Sequence, residues 1–525
     1  MSSGHGRHGT RSTHGAHSTR GTDDRPAAGD PAEPPPAEGQ PQAPAQAAAD
    51  AVGHMTPEQF RAYGYATIDW IATYLATLED RPVRSTVEPG DVRAALPPRP
   101  PATGEPFAAV LADLDELIAP ALTHWQHPSF FAFFPANSSG PAVLGELLSA
   151  GLGVQGMLWE TSPAVTELEQ HVLDWVVELL GLPATWRSCT AGGGVIQDSA
   201  SSATLCALLA ARHRVTGGAS RTQGVDRPLV VYGSTQAHSS VEKAVRIAGH
   251  GSDQFRAIPV DARFALRPDA LAAQIAEDQA AGLTPCMVVA SVGTTSSLAV
   301  DPVAEIAPIA AAAGAWLHVD AAMLGVAAVA PELRWINAGL AQADSYATNP
   351  HKWLLTNFDC TTFFVADAEP LVDALAILPA YLRSDASASG GASDLRDWQI
   401  PLGRRFRALK LWMVLRWYGA EGLAAYVRGH VALAARFAER VEADERLELA
   451  APVEANLVCF AHRAGNEATA ALQRALRDRG VLYLTATELD DRLVLRLAVG
   501  ATSTTARHVD AAWAELSDTL ASVKG

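Results

Sequence analysis

The chain has 525 residues, enough to bury a large core, and its 40 Lys and Arg against 57 Asp and Glu leave a net charge of −17. With no basic stripe, that balance argues against nucleic acid as a partner. The five cysteines, Cys189, Cys206, Cys286, Cys360 and Cys459, are scattered without CxxC spacing, so neither a disulfide scaffold nor a metal site is expected.

A reducing cytoplasm fits that cysteine usage. No apolar run reaches the roughly 18 residues of a membrane span, and the N-terminus lacks a hydrophobic signal core, so a soluble protein is expected. Residues 1–54 are rich in His, Gly, Ser, Thr, Pro and Ala, and with almost nothing apolar to offset chain entropy they read as a disordered tail.

Thr56-Pro57-Glu58 then opens a helix whose Ile68, Ile71 and Leu75 share one face. A Pro-rich connector leads to a second helix with Val110, Leu114 and Leu117. Residues 55–140 read as a helical arm that must pack on something, such as a second subunit. The aromatic cluster Trp125, Phe130, Phe131, Phe133 and Phe134 follows, ending at Asn137-Ser138-Ser139-Gly140-Pro141. Such a run is either core or the wall of a pocket for a flat substrate.

Gly192-Gly193-Gly194 leads through Asp198-Ser199-Ala200-Ser201 into a helix, and free N–H groups with the helix dipole make an anion site there. The pattern is neither GxGxxG nor Walker A, so a lone phosphate suits it better than a nucleotide. After a strand at Leu229–Tyr232, Ser239-x-x-Glu242 reads as a capping box. That puts His238 in a strand-to-helix turn, where α/β sheets bind ligands.

The alternation continues through a strand at Met287–Ala290, a turn at Gly293-Thr294-Thr295 and a helix opened by Asp301-Pro302, which Pro308 is predicted to kink. It predicts an α/β fold with a mostly parallel central sheet and helices on both faces, over a large domain at 141–430. Ser384–Ser393 has no apolar anchor and reads as a linker, or as a lid carrying Tyr381. Phe406, Leu409, Met413 and Trp417 mark an amphipathic helix, and residues 431–525 read as a small α+β domain with strands near Leu457 and Leu493.

Two segments carry the chemistry. Trp316–Asp320 is an apolar strand ending in a carboxylate, and Asn349-Pro350-His351-Lys352-Trp353 sets a lysine between His and Trp. Desolvation lowers an amine's pKa and exposes its lone pair, which a Schiff-base lysine needs. A buried carboxylate needs a partner, and a protonated pyridine nitrogen is a good one. With small Ala322 leaving room for a flat ring, this is the set that pyridoxal phosphate (PLP) requires.

Asn349–Trp353, His318-Val319-Asp320-Ala321-Ala322 and Gln236–Ser240 resemble the motifs of the PLP-dependent aromatic-L-amino-acid decarboxylases. So do Ser162–Glu169, Trp398–Phe406 and Leu495-Arg496. The resemblance implies fold-type-I architecture and a homodimer with its active sites at the subunit interface. It implies that Lys352 binds PLP, Asp320 pairs with the pyridinium nitrogen, and His238 and Ala322 flank the ring. Ser199, Ala200, Ser201 and Asn349 would receive the phosphate, Thr295 and catalytic His351 would line the site, and Tyr381 would help protonate the substrate carbon.

For the substrate, Trp125, Phe133, Ala136, Gln155 and Met157 are the residues expected to form the pocket. Phe133 and Ala136 replace polar side chains of the animal members, which argues for phenylalanine, tryptophan or tyrosine over DOPA, although Met157 adapts to many shapes. The expected reaction is decarboxylation to the amine and CO2. The alternatives are an aromatic aldehyde synthase on the same fold, a decarboxylase of a non-aromatic acid, and a catalytically silent dimeric binding protein.

Overall fold

The computed structural model describes residues 53–377 and 393–522. Nearly all of the predicted tail, and Tyr381 with most of the Ser384–Ser393 stretch, lie outside the described residues. The chain divides into two compact units, Met1–Ala66 and Thr67–Gly525. The break falls inside the helix Pro57–Ala76, which buries none of its residues.

Seven strands, β1 (Gly193–Gln197), β2 (Leu229–Ser234), β3 (Phe255–Ile258), β4 (Thr284–Ser291), β5 (Trp316–Asp320), β6 (Ser345–Thr348) and β7 (Thr361–Val365), form one sheet in the order β1-β7-β6-β5-β4-β2-β3. β2 to β6 run parallel to one another, whereas β7 runs antiparallel to both β6 and β1. The expected mostly parallel sheet is therefore present.

Both faces are covered, and the strand sequences explain how. Side chains alternate with period two, so Val230, Tyr232, Val288 and Ala290 enter one core while Leu229, Val231, Met287 and Val289 enter the other. The register pairs Ser291 with Asp320 and Asp320 with Ala347. The carboxyl ends of β4, β5 and β6 thus share one rim of the sheet.

A second sheet, β8 (Leu447–Leu449), β9 (Leu457–His462), β10 (Thr485–Leu489) and β11 (Arg492–Ala498), is antiparallel in the order β10-β11-β9-β8. Its inner face packs Phe460, Leu495 and Leu497 against Phe437, Leu472 and Leu516 of the flanking helices.

Two local expectations are corrected. The helix Ser240–Ile247 has no capping box: Ser239 is itself in helical conformation and makes no side-chain cap. Instead, Nδ1 of His238 accepts the Ser240 N–H at 3.2 Å. Pro308 lies inside its helix, as expected, and that helix runs from Val303 to Ala312.

The long helix Arg407–Ala443, interrupted at Gly419 (φ 63°, ψ 174°), is amphipathic with a different phase. It buries Ala408, Leu411, Val414 and Leu415 and leaves Trp417 73 % exposed. Lys410 hides that phase in the sequence, because it sits on the buried face paired with Glu146 at 2.8 Å.

Candidate active site

A cavity of about 220 Å³ opens at the rim where β4, β5 and β6 end, lined by Ser199, Ala200, Ser201, His238, Thr295, Asp320, Ala322, Asn349, His351 and Lys352. These residues span more than 150 positions of sequence. A larger cavity of about 540 Å³ lies around Gly419 and Arg428 and contains none of them. Chemistry rather than size marks the site, because the smaller cavity brings a lysine, an aspartate and two histidines together beside a helix start.

Burial holds the Lys352 amine below its usual range; Asp320 opposes that shift and Arg496 adds to it. The Lys352 ammonium lies 5.5 Å from the ring centroid of Phe134. Asp320 is nearly buried at the end of β5, and one carboxylate oxygen accepts the Ala322 N–H at 3.0 Å.

Burial also lowers the pKa of His238, against the pull of Asp320 and with the push of Lys352. Its Nδ1 accepts a backbone N–H and meets the Ser240 hydroxyl at 2.7 Å, which fixes the neutral tautomer protonated at Nε2. His351 is pushed down to about 4, mainly by burial, and its Nδ1 accepts the Cys360 N–H at 3.0 Å.

Ser199 caps the 16-residue helix Ala200–Val215, accepting the Ser202 N–H at 3.2 Å. The first helical amide to bond backward is Ala203, to the Ser199 carbonyl. The N–H groups of Ala200 and Ser201 therefore remain as free donors at the cavity wall, the arrangement that binds phosphate. Oδ1 of Asn349 accepts the Thr361 hydroxyl at 2.9 Å, which leaves the amide nitrogen as its donating end.

A low-pKa lysine, a carboxylate across the cavity, a small residue in the wall and free amide donors at a helix start fit PLP. Among the described residues, no group of three or more His, Cys, Asp or Glu side chains is placed to hold a metal ion.

None of the five residues expected to meet substrate lines this cavity. Trp125 and Phe133 stack on each other at 5.5 Å, are 37 % and 45 % exposed, and neighbour Tyr483. Phe133 has a φ of 54°, a strained value for a side chain of that size. Gln155 is held by backbone, its Oε1 accepting the Arg404 N–H at 2.5 Å. Ala136 and Met157 do not line the Lys352 cavity.

Phe134, Ser291, Gly293, Thr294 and Met323 do line it, although the sequence did not single them out as site residues. Phe134 was recognisable only as one of a run of phenylalanines. The others follow from the strand register, which no local pattern displays.

The model of the pyridoxal-dependent decarboxylase conserved domain matches residues 89–463. The chain belongs to the pyridoxal-dependent decarboxylase family. It is 46 % identical to a phenylacetaldehyde synthase of Arabidopsis thaliana over 87 % of this chain and 95 % of that protein. It is 43 % identical to the aromatic-L-amino-acid decarboxylase of Bos taurus over 89 % and 97 % of the two chains. The crystal structure of Oryza sativa TDC with PLP and tryptamine superposes with a TM-score of 0.87 at 39 % identity, covering 89 % of this chain and 99 % of that one. As a pyridoxal-dependent decarboxylase of fold-type-I architecture, the chain uses PLP as its cofactor.

Proposed function

We propose that this pyridoxal-dependent decarboxylase converts an aromatic L-amino acid to its amine and CO2. The observation that carries the reading is the pairing, in one cavity, of buried Lys352 with Asp320, beside the free amides of Ala200 and Ser201. The similarity to aromatic-acid decarboxylases supports the aromatic class.

Bound PLP supplies an electron sink for the bond that releases CO2. Lys352, whose amine burial holds below its usual pKa range, would be the residue that holds the cofactor covalently. Asp320 would pair with the ring nitrogen and favour its protonated form. Ala200, Ser201 and Asn349 donate to the phosphate, with the Ser199 cap holding the helix start in place. His238 and Ala322 would flank the ring, Thr295 and His351 would border the site, and Tyr381 would help protonate the substrate carbon.

Trp125, Phe133, Ala136, Gln155 and Met157 are read as the substrate wall of a homodimer, each set serving the site of a second copy. The exposed Leu144, Leu147, Leu148 and Leu152 along one helix form the kind of apolar patch that marks a subunit interface. The organisation proposed is a tail at 1–54, an arm at 55–140, a PLP domain at 141–430 and a small domain at 431–525, in a cytoplasmic enzyme. Among the described residues, no helix is long and apolar enough to cross a membrane.

The similarity to a phenylacetaldehyde synthase favours a second reading, decarboxylation followed by oxidation with O2 and water to aldehyde, ammonia and hydrogen peroxide. In the family that outcome goes with loss of the loop tyrosine or the stacking histidine, and Tyr381 and His238 are both retained. Product yields from purified protein with PLP decide between them, across tryptophan, phenylalanine, tyrosine, DOPA, histidine, glutamate and valine. Equal amine and CO2 from an aromatic acid supports the decarboxylase; aldehyde with peroxide supports the synthase, and activity on a non-aromatic acid alone overturns both.

A further inference from the structure

Lys352 lies in a short turn, Pro350–Trp353, and one residue far away in sequence grips the chain on both sides of it. The backbone N–H of Asn137 donates to the His351 carbonyl at 2.9 Å. Its side-chain Oδ1 accepts the Leu355 N–H at 3.0 Å. The other end of the same amide donates to the Gly500 carbonyl at 2.7 Å, at the edge of the small-sheet region. Asn137 is 2 % exposed and does not line the cavity.

What needs gripping is Leu355, which ends the lysine turn with a φ of 53° while 2 % exposed. A leucine pays steric strain in that left-handed conformation, and such strain persists only where the surroundings enforce it. Both of its backbone polar groups are held by the Asn137–Ser139 segment. Asn137 takes the N–H, and the Ser139 hydroxyl donates to its carbonyl at 2.6 Å.

The clamp is anchored in turn. Tyr426 donates its hydroxyl toward Oδ1 of Asn137 at 3.2 Å, and Thr502 donates to the Ser138 carbonyl at 2.8 Å. Gly500 packs so closely on Pro135 that a Cβ there would lie 2.3 Å from the proline ring. A carboxamide is the side chain that can accept from Leu355 and donate to Gly500 at once.

We propose that Asn137 is a positioning residue that, with Ser139, holds Leu355 in its strained conformation and so sets where the Lys352 amine meets the cofactor. This rests on the assignment of Lys352 as the PLP-bearing lysine.

The test uses Asn137→Ala and Leu355→Gly, singly and combined, with PLP as the probe. Glycine adopts the left-handed conformation freely, so Leu355→Gly removes the need for the clamp. Asn137→Ala is expected to weaken PLP binding to the apoenzyme about tenfold, the scale of effect when the buried bond that holds the Leu355 N–H is lost along with its anchors to Gly500 and Tyr426. It is also expected to shift the pH midpoint of the bound cofactor's visible absorbance. In the Leu355→Gly background, Asn137→Ala should change both by less than about twofold.

An unchanged dissociation constant and midpoint in Asn137→Ala, or an equal effect in both backgrounds, overturns the proposal. Should Asn137→Ala fail to fold, Ser139→Ala carries the same expectations through the other half of the clamp. The chain has four lysines, Lys243, Lys352, Lys410 and Lys524, so borohydride trapping of PLP on the wild-type protein tests the underlying assignment separately. A trapped lysine other than Lys352 refutes the site, whereas trapping on Lys352 with no effect of Asn137→Ala refutes only the clamp.

Discussion

The guanidinium of Arg496 and the ammonium of Lys352 lie against one aromatic ring, 5.0 Å and 5.5 Å from the centroid of Phe134. Arg496 also donates to the Ser296 carbonyl and the Thr485 hydroxyl, each at 3.1 Å, so its charge is held in place. A fixed cation near a buried amine disfavours its protonation, and Arg496 acts on Lys352 in that direction.

Arg496→Met should therefore raise the Lys352 pKa in the apoenzyme, because it removes a fixed positive charge beside the amine. With only four lysines to resolve, the pH dependence of ¹³C-methylated lysine resonances reads this directly. An unmoved or lowered value would show that the arginine's charge is not felt at Lys352.

Lys352→Ala should lower decarboxylation by at least about a thousandfold, the scale of loss when a covalent group is removed from a site that acts as a unit. Turnover is measured as CO2 release at saturating PLP. Activity near the wild-type level would place the chemistry on another residue.

Tyr381→Phe should divert product from amine toward aldehyde, because the proton that replaces CO2 on the substrate carbon is then delivered poorly. The amine-to-aldehyde ratio is the readout. An unchanged ratio removes Tyr381 from the protonation step.

Three buried histidines should make the fold acid-sensitive. Burial pushes His318, His351 and His430 each down to about 4. Their folded pKa values lie below the unfolded value of about 6.5, so between those limits the unfolded chain binds more protons and stability rises with pH. Stability is complete above about pH 6.5 and falls as pH drops toward 4, by up to about 1.4 kcal/mol per pH unit for each histidine. Urea melts at pH 7, 6 and 5 should show this slope, and His430→Gln should reduce it by one proton. A flat profile would mean these rings are already charged in the folded state.

Much of the site was legible in the sequence because short-range chemistry writes it there. A carboxylate at the end of an apolar strand, glycines and serines at a helix start, and a lysine between His and Trp each announce a local geometry. The alternation of strands and helices likewise carried the α/β class, since period-two apolar runs demand two covered faces. Lys410 shows the limit: its charge disguised a buried position, because only a partner from another helix, Glu146, makes that burial tolerable.

The sequence by itself determined which groups are present and which elements carry them. Only the tertiary structure decided that Ser291, Asp320 and Ala347 share a rim, that Phe134 rather than Phe133 faces Lys352, and that Asn137 grips the lysine turn from more than 200 residues away. Register, and hydrogen bonds between distant segments, depend on how strands pair and which faces pack, and no local pattern encodes those choices.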